Sequence, residues 1–193
     1  MKLTFNSPVV LIFSFICAAV YIMSTMNIGN NYFVVFPEWD FSNPAWYFRV
    51  VSHTMGHAST EHLMGNMAFF LLLGPIVEEK YGSKHLLLMM ITTAVITGLI
   101  QITFFNVPLL GASGIVFMLI LLVSLVNFKN KEIPLTFVLI VIIYIGKEIW
   151  GTFEQDNISH STHIIGGIVG AGFGFALGGK KAKSSEPTSN SVL

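Results

Sequence analysis

Apolar residues gather into six runs, and the segments between them hold nearly all the charge. The runs cover 8–26, 62–79, 85–105, 113–127, 134–149 and 159–179. A helix that crosses a bilayer needs about 20 apolar residues, somewhat fewer where the span is locally short. The fourth and fifth runs are short by that measure. A soluble helical core is the competing interpretation, but six such runs leave almost nothing to form its surface. The pattern therefore predicts an all-α, polytopic membrane protein with six transmembrane helices. Residues 1–180 form one membrane domain, and 181–193, rich in Lys, Ser, Thr and Asn, read as a disordered cytoplasmic tail.

Composition agrees with this reading. Of 193 residues, 53% are hydrophobic and 10% charged, and mean hydropathy is +0.73, whereas a soluble domain carries about 25% charged residues. A net charge of zero gives no argument for nucleic acid. Cys17 is the single cysteine, so no intrachain disulfide can form and cysteine usage is silent on redox compartment. Seventeen glycines are ordinary where membrane helices pack closely.

Charge placement orients the bundle. With both termini cytoplasmic, the inner segments hold Lys2, Lys80, Lys84, Lys129, Lys131, Lys180, Lys181 and Lys183, and the outer ones only Arg49 and Lys147. Eight basic residues against two follow the positive-inside bias. The first run is taken as retained and not as a signal peptide, because it is long, lacks a convincing cleavage site and is needed for this parity. The outer segment 27–61 reads as the least helical part. Its Pro37-Glu38-Trp39-Asp40 and Asn43-Pro44-Ala45-Trp46 mix turn signals with aromatics, which places it on the outer membrane surface.

Candidate chemistry collects at one depth. The second, fourth and sixth runs all descend from the outer face. His62 and Asn66 begin the second, Ser113 begins the fourth, and His163 lies about one turn into the sixth. At 1.5 Å per residue these groups fall roughly within 6 Å of depth. His62 and Asn66, four apart, share a face. A serine hydroxyl needs a base to become a nucleophile, and histidine is the usual one near neutral pH. Asn66, His62 and the first backbone N–H groups of the Ser113 helix can donate to an oxyanion. Gly111 and Gly114 permit a tight turn and close approach beside Ser113. Asp156 and Glu154 lie outside the sixth run, so a two-residue Ser-His arrangement is favoured over a triad. The bland alternatives are a serine that only caps its helix and a histidine paired for packing. His53, His57, His62, His160 and His163 raise the question of a metal, but no compact ligand signature accompanies them; neither metal nor cofactor is expected. Gly166, Gly170, Gly174 and Gly178 form a four-residue repeat that predicts close packing of the sixth helix, with the fourth as its partner.

Taken together, these motifs resemble the rhomboid family of intramembrane serine proteases, in its basic six-helix bacterial form. Residues 57–66, with His62 and Asn66, resemble the family's histidine-rich start of the second helix. Gly111-Ala112-Ser113-Gly114 matches its Gly-x-Ser-Gly nucleophile motif. His163-Ile164-Ile165-Gly166, continued by Gly170, matches its sixth helix, and Gly74 with Glu78 its Gly-x-x-x-Glu. Trp46-Tyr47-Phe48-Arg49 only loosely resembles the family's Trp-Arg element, and no role is carried over there. The resemblance covers roughly 8–179. It implies a rhomboid-like bundle in which Ser113 is the nucleophile, His163 its base, and Asn66 with His62 the oxyanion donors. It also implies transmembrane protein substrates that enter sideways from lipid between the second and fifth helices. Phe69, Phe70, Ile149, Trp150 and Phe153 are candidates for that gate, with interfacial anchoring the competing role for Trp150. The implied place is a bacterial inner membrane, with the active site near the outer face. A catalytically inactive rhomboid-like protein that binds membrane proteins is the alternative, and a transporter or channel the third reading. Natural substrate and oligomeric state are not legible in the sequence.

Overall fold

A computed structural model describes residues 5–125, 133–146 and 160–177, and among these the chain is helical apart from its connections. The helices are α1 (Pro8–Thr25), α2 (Pro44–Ser52), α3 (Thr60–Tyr81), α4 (Ser83–Phe104), α5 (Ser113–Ser124), α6 (Leu135–Ile140) and α7 (His160–Leu177). Two 3₁₀ turns, Asn30–Tyr32 and His53–Met55, flank α2, and a π turn, Val141–Ile145, continues α6. Three helices, α1, α3 and α4, are long and apolar enough to cross a membrane; α5 and the stretch Leu135–Tyr144 are shorter apolar helices.

Local sequence explains several boundaries. Pro8 opens α1 at a position where its missing N–H costs nothing. Ser59 caps α3, its hydroxyl accepting from the His62 N–H at 3.2 Å. Gly82 joins α3 to α4 at φ 84°, a left-handed conformation that glycine enters without strain. In the segment expected to be least helical, the structure instead forms α2. Asn43 accepts from the Ala45 N–H at 3.0 Å and Pro44 occupies the first helical position, so the same two residues that signal a turn also start a helix. Trp46 and Val50 give this helix its buried side.

At the centre stands α5. Every residue from Gly114 to Leu122 is buried, as expected of a helix apolar on all sides. The helices around it turn part of their apolar surface outward: Phe15 and Ile22 of α1, Leu72 of α3, Leu88 of α4, and Ile142 and Ile143 of the π turn are exposed. Such surface is unusual on a soluble monomer and ordinary where lipid is the solvent. At the far end of α3, Glu78 is buried and accepts from Val9 N–H (3.0 Å), Val10 N–H (3.1 Å) and the Ser83 hydroxyl (2.7 Å). One carboxylate thus caps α1 and ties it to α3 and α4.

Candidate active site

The turn that leads into α5 is fixed from three sides. Leu109 pairs with Val35 in an isolated antiparallel bridge. Gly111 donates its N–H to the His53 carbonyl at 2.8 Å. Gln101 of α4 donates its amide to the Val107 carbonyl at 2.8 Å. Gly111 has φ 128°, and a β-carbon there would lie 2.7 Å from His62 Cε1, 2.8 Å from His62 Nε2 and 3.9 Å from Asn66 Nδ2. Only a glycine fits both that conformation and that space. The first turn of α3 is therefore packed against the residue two before Ser113.

On α3, Asn66 is buried, and its Nδ2 has no hydrogen-bond partner among the described residues. A buried amide donor left unpaired is costly and asks for a use. His57 stands beside His62, ring centroids 5.1 Å apart and tilted by 65°. Its Nδ1 meets the Met55 carbonyl at 3.1 Å. Burial, with the neighbouring His62 ring adding to it, pulls the His57 pKa down to about 4. The ring is neutral near pH 7, so Nδ1 carries the proton that the carbonyl accepts and Nε2 keeps its lone pair.

Opposite α3, α7 is pressed against α5. β-Carbons built on Gly166 and Gly170 would collide with the Gly114 and Met118 backbone carbonyls, and one on Gly174 would lie 2.7 Å from Leu125 Cδ1. Gly166, Gly170 and Gly174 of the repeat thus face the fourth apolar run, the partner expected for it, and Gly178 lies outside the described residues. Three residues before Gly166, the His163 imidazole lies flat on the Phe117 ring, centroids 4.4 Å apart and planes within 6°. Phe117 is one turn after Ser113 on the same face of α5, and helical side chains lean back toward the helix N-terminus. The His163 ring of α7 thus lies over Phe117, one turn after Ser113 on α5, and the His62–Asn66 face of α3 meets the turn just before Ser113.

A family profile described as the Rhomboid domain matches residues 44–180. The chain belongs to the rhomboid family. It is 25% identical over 175 residues to "Rhomboid protease GlpG" of Haemophilus influenzae, an alignment covering 88% of this chain and 91% of that protein. To the proteins of the same name in Salmonella paratyphi A and Salmonella typhi it is 27% and 28% identical, and it spans 62% of their length. Family membership and the apolar helices make it a multi-pass membrane protein.

Within this rhomboid, two aromatics expected together at a gate part company. Phe70 is fully buried and packs on Phe13 of α1, centroids 5.0 Å apart, whereas Phe69 is exposed. Trp150, Phe153 and Ile149 lie outside the described residues. Sequence reasoning overlooked Phe117, whose only signal is its place four residues after Ser113, and raised His53 only in connection with a metal, whereas its carbonyl anchors Gly111. Among the described residues no cluster of three or more His, Cys, Asp or Glu could hold a metal.

Proposed function

We propose that this rhomboid is an intramembrane serine endopeptidase in which Ser113 and His163 form a catalytic dyad. The observation that carries the reading is the His163 ring seated flat on Phe117, one helical turn from Ser113. His163 takes the Ser113 proton as the oxygen attacks a substrate carbonyl carbon. The oxyanion then accepts hydrogen bonds from the Asn66 amide and from His62. Collapse breaks the C–N bond, and His163 returns its proton to the leaving amine. Water, deprotonated by the same imidazole, hydrolyses the resulting ester and frees Ser113. The stack on Phe117 holds the ring where a triad would use a carboxylate.

The bilayer setting follows from dimensions. With 12 residues, α5 is about 18 Å long, well short of a hydrocarbon core of roughly 30 Å. A helix whose inner end reaches the cytoplasmic side therefore begins, at Ser113, below the outer surface. In the six-span arrangement with both termini cytoplasmic, the site opens toward the outer face. Substrates are transmembrane segments of other proteins, locally unwound so that an amide escapes its own helical hydrogen bond. Phe69, with Trp150 and Phe153, forms the gate between α3 and the fifth span; Phe70 belongs to the core and is left out of it.

An inactive, binding-only rhomboid is disfavoured because Ser113 and His163 are both present. A fluorophosphonate decides the matter. Covalent labelling of the wild type, lost in Ser113→Ala and His163→Ala, with cleavage of a model transmembrane substrate lost in the same variants, is the expected result. A Ser113→Ala protein that still cleaves at the wild-type site and rate overturns the dyad.

A further inference from the structure

Two aromatic contacts attach α6 and the π turn that continues it to the bundle. Phe137 meets Phe175 of α7 edge-on, centroids 5.8 Å apart and planes at 80°. Seven residues later, Tyr144 meets Phe117 of α5 edge-on, 6.0 Å and 79°. Val138, Leu139, Ile142 and Ile143 are exposed, so this helix touches the bundle along a narrow line. The turn Val141–Ile145 holds Tyr144, and its sequence contains neither glycine nor proline. A π turn in an otherwise regular helix is uncommon and re-aims the residues within and after it.

Phe117 thus lies in a three-ring series. One neighbour is the His163 imidazole, lying flat against it, and the other is the Tyr144 edge. An edge-on ring restrains the rotation of the ring it meets, and a face-to-face stack persists only while its support keeps one orientation. We propose that Tyr144 is a positioning residue. It holds Phe117 flat against His163, and so seats the base only while the π turn is packed on α5. This rests on the dyad reading above. Tyr144 touches neither Ser113's proton nor a substrate in this scheme, and its hydroxyl has no part in it. The ring edge does the positioning. The consequence is that a shift of the fifth span, as a substrate helix passes it, alters the posture of the base.

Tyr144→Leu keeps bulk and removes the aromatic edge, whereas Tyr144→Phe keeps the edge and removes only the hydroxyl. Measured in detergent below the melting temperature, Tyr144→Leu should lower kcat on a short soluble peptide by roughly 10-fold with little change in KM. That is less than the roughly 100-fold that an ångström-scale misplacement can cost. Fluorophosphonate labelling should slow in parallel, and Tyr144→Phe should restore both rates. Phe117→Leu should show the same loss, and the double variant little more, because the two rings act in series. Should Tyr144→Leu melt too low to assay, Tyr144→Met asks the same question. Wild-type labelling in the leucine or methionine variant, failure of Tyr144→Phe to restore the rate, or an additive double variant overturns the proposal. Labelling that survives His163→Ala would instead overturn the dyad, so the two failures are distinct.

Discussion

The α-carbon of Gly166 faces the backbone carbonyl of Gly114, so closely that a β-carbon on Gly166 would fall on that oxygen. Gly170 stands in the same relation to Met118, one turn further along. Backbone carbonyls cannot swing aside as side chains do, so any substitution here must part α5 from α7.

That packing predicts a graded series. Gly170→Ala should destabilise the bundle by about 1–3 kcal/mol, the usual cost of overpacking, and Gly170→Val by more. Activity should fall with stability, because the face that meets Gly114 and Met118 also carries His163. Gly172, on the same helix, has no atom within 4 Å of its β-carbon position, and Gly172→Ala should be neutral or slightly stabilising. Thermal melts in detergent and turnover of one peptide substrate check the series. Equal effects at Gly170 and Gly172 would detach the repeat from the seating of His163.

Asn66 gives a purely kinetic prediction. Its amide nitrogen is buried, lacks a partner among the described residues, and lies beside Gly111. If it donates only to the oxyanion, Asn66→Ala should cut kcat by roughly 10- to 1000-fold with KM nearly unchanged. Because that nitrogen makes no hydrogen bond to any described residue, the melting temperature should hold. A lower melting temperature with unaltered kcat would assign Asn66 to structure.

Periodic features of this fold were legible in the sequence, and features that need two distant segments were not. The glycine repeat encodes a helix face, so its spacing named the packing surface, and the structure sets that surface against α5. Ser113, His163, His62 and Asn66 were legible as candidates because polar groups in apolar runs stand out. In contrast, the Val35–Leu109 bridge joins residues far apart in sequence, and neither end carries a signal. Phe117 looks like any other apolar residue of α5. The π turn has no proline or glycine to announce it. At α2, Asn43-Pro44 was ambiguous in principle, since turn residues and helix caps are the same residues.

Glu78 should matter for stability and not for chemistry. Its carboxylate satisfies two N–H groups in the first turn of α1, which have no partner within their own helix, and places negative charge at that helix's positive end. Glu78→Ala strands those groups and the Ser83 hydroxyl, at a cost of about 1–3 kcal/mol for each buried donor left unpaired. Asn66 and Glu78 lie twelve residues apart on one helix, or about 18 Å. Below its lowered melting temperature, the variant should therefore keep wild-type kcat. A large loss of kcat in a protein that melts normally would reveal a coupling across α3 that these contacts do not explain.

The last prediction concerns acid. His53 and His57 lie between α2 and α3, and burial pulls both pKa values down to about 4 from 6.5. Once unfolded, each ring returns to water and its ordinary value. Between pH 6.5 and about 4 the unfolded chain therefore binds more protons than the folded one, and stability falls as pH falls. The full contribution is present above pH 6.5, and the loss is complete below about 4. For the fully buried His53 it is on the order of 3 kcal/mol, since one pKa unit corresponds to about 1.4 kcal/mol. The unpartnered Nε2 atoms of both rings point the same way, because a proton added there finds no acceptor among the described residues. Since the His53 carbonyl holds Gly111 and His57 stands beside His62, acid should disturb the turn before Ser113 as it loosens the fold. Melting curves at pH 7.5, 5.5 and 4 should show a steady drop in melting temperature, and His57→Gln, which removes one titrating ring, should make the slope shallower. A melting temperature that stays level from pH 6.5 to 4 would mean that both rings already accept protons in the folded protein.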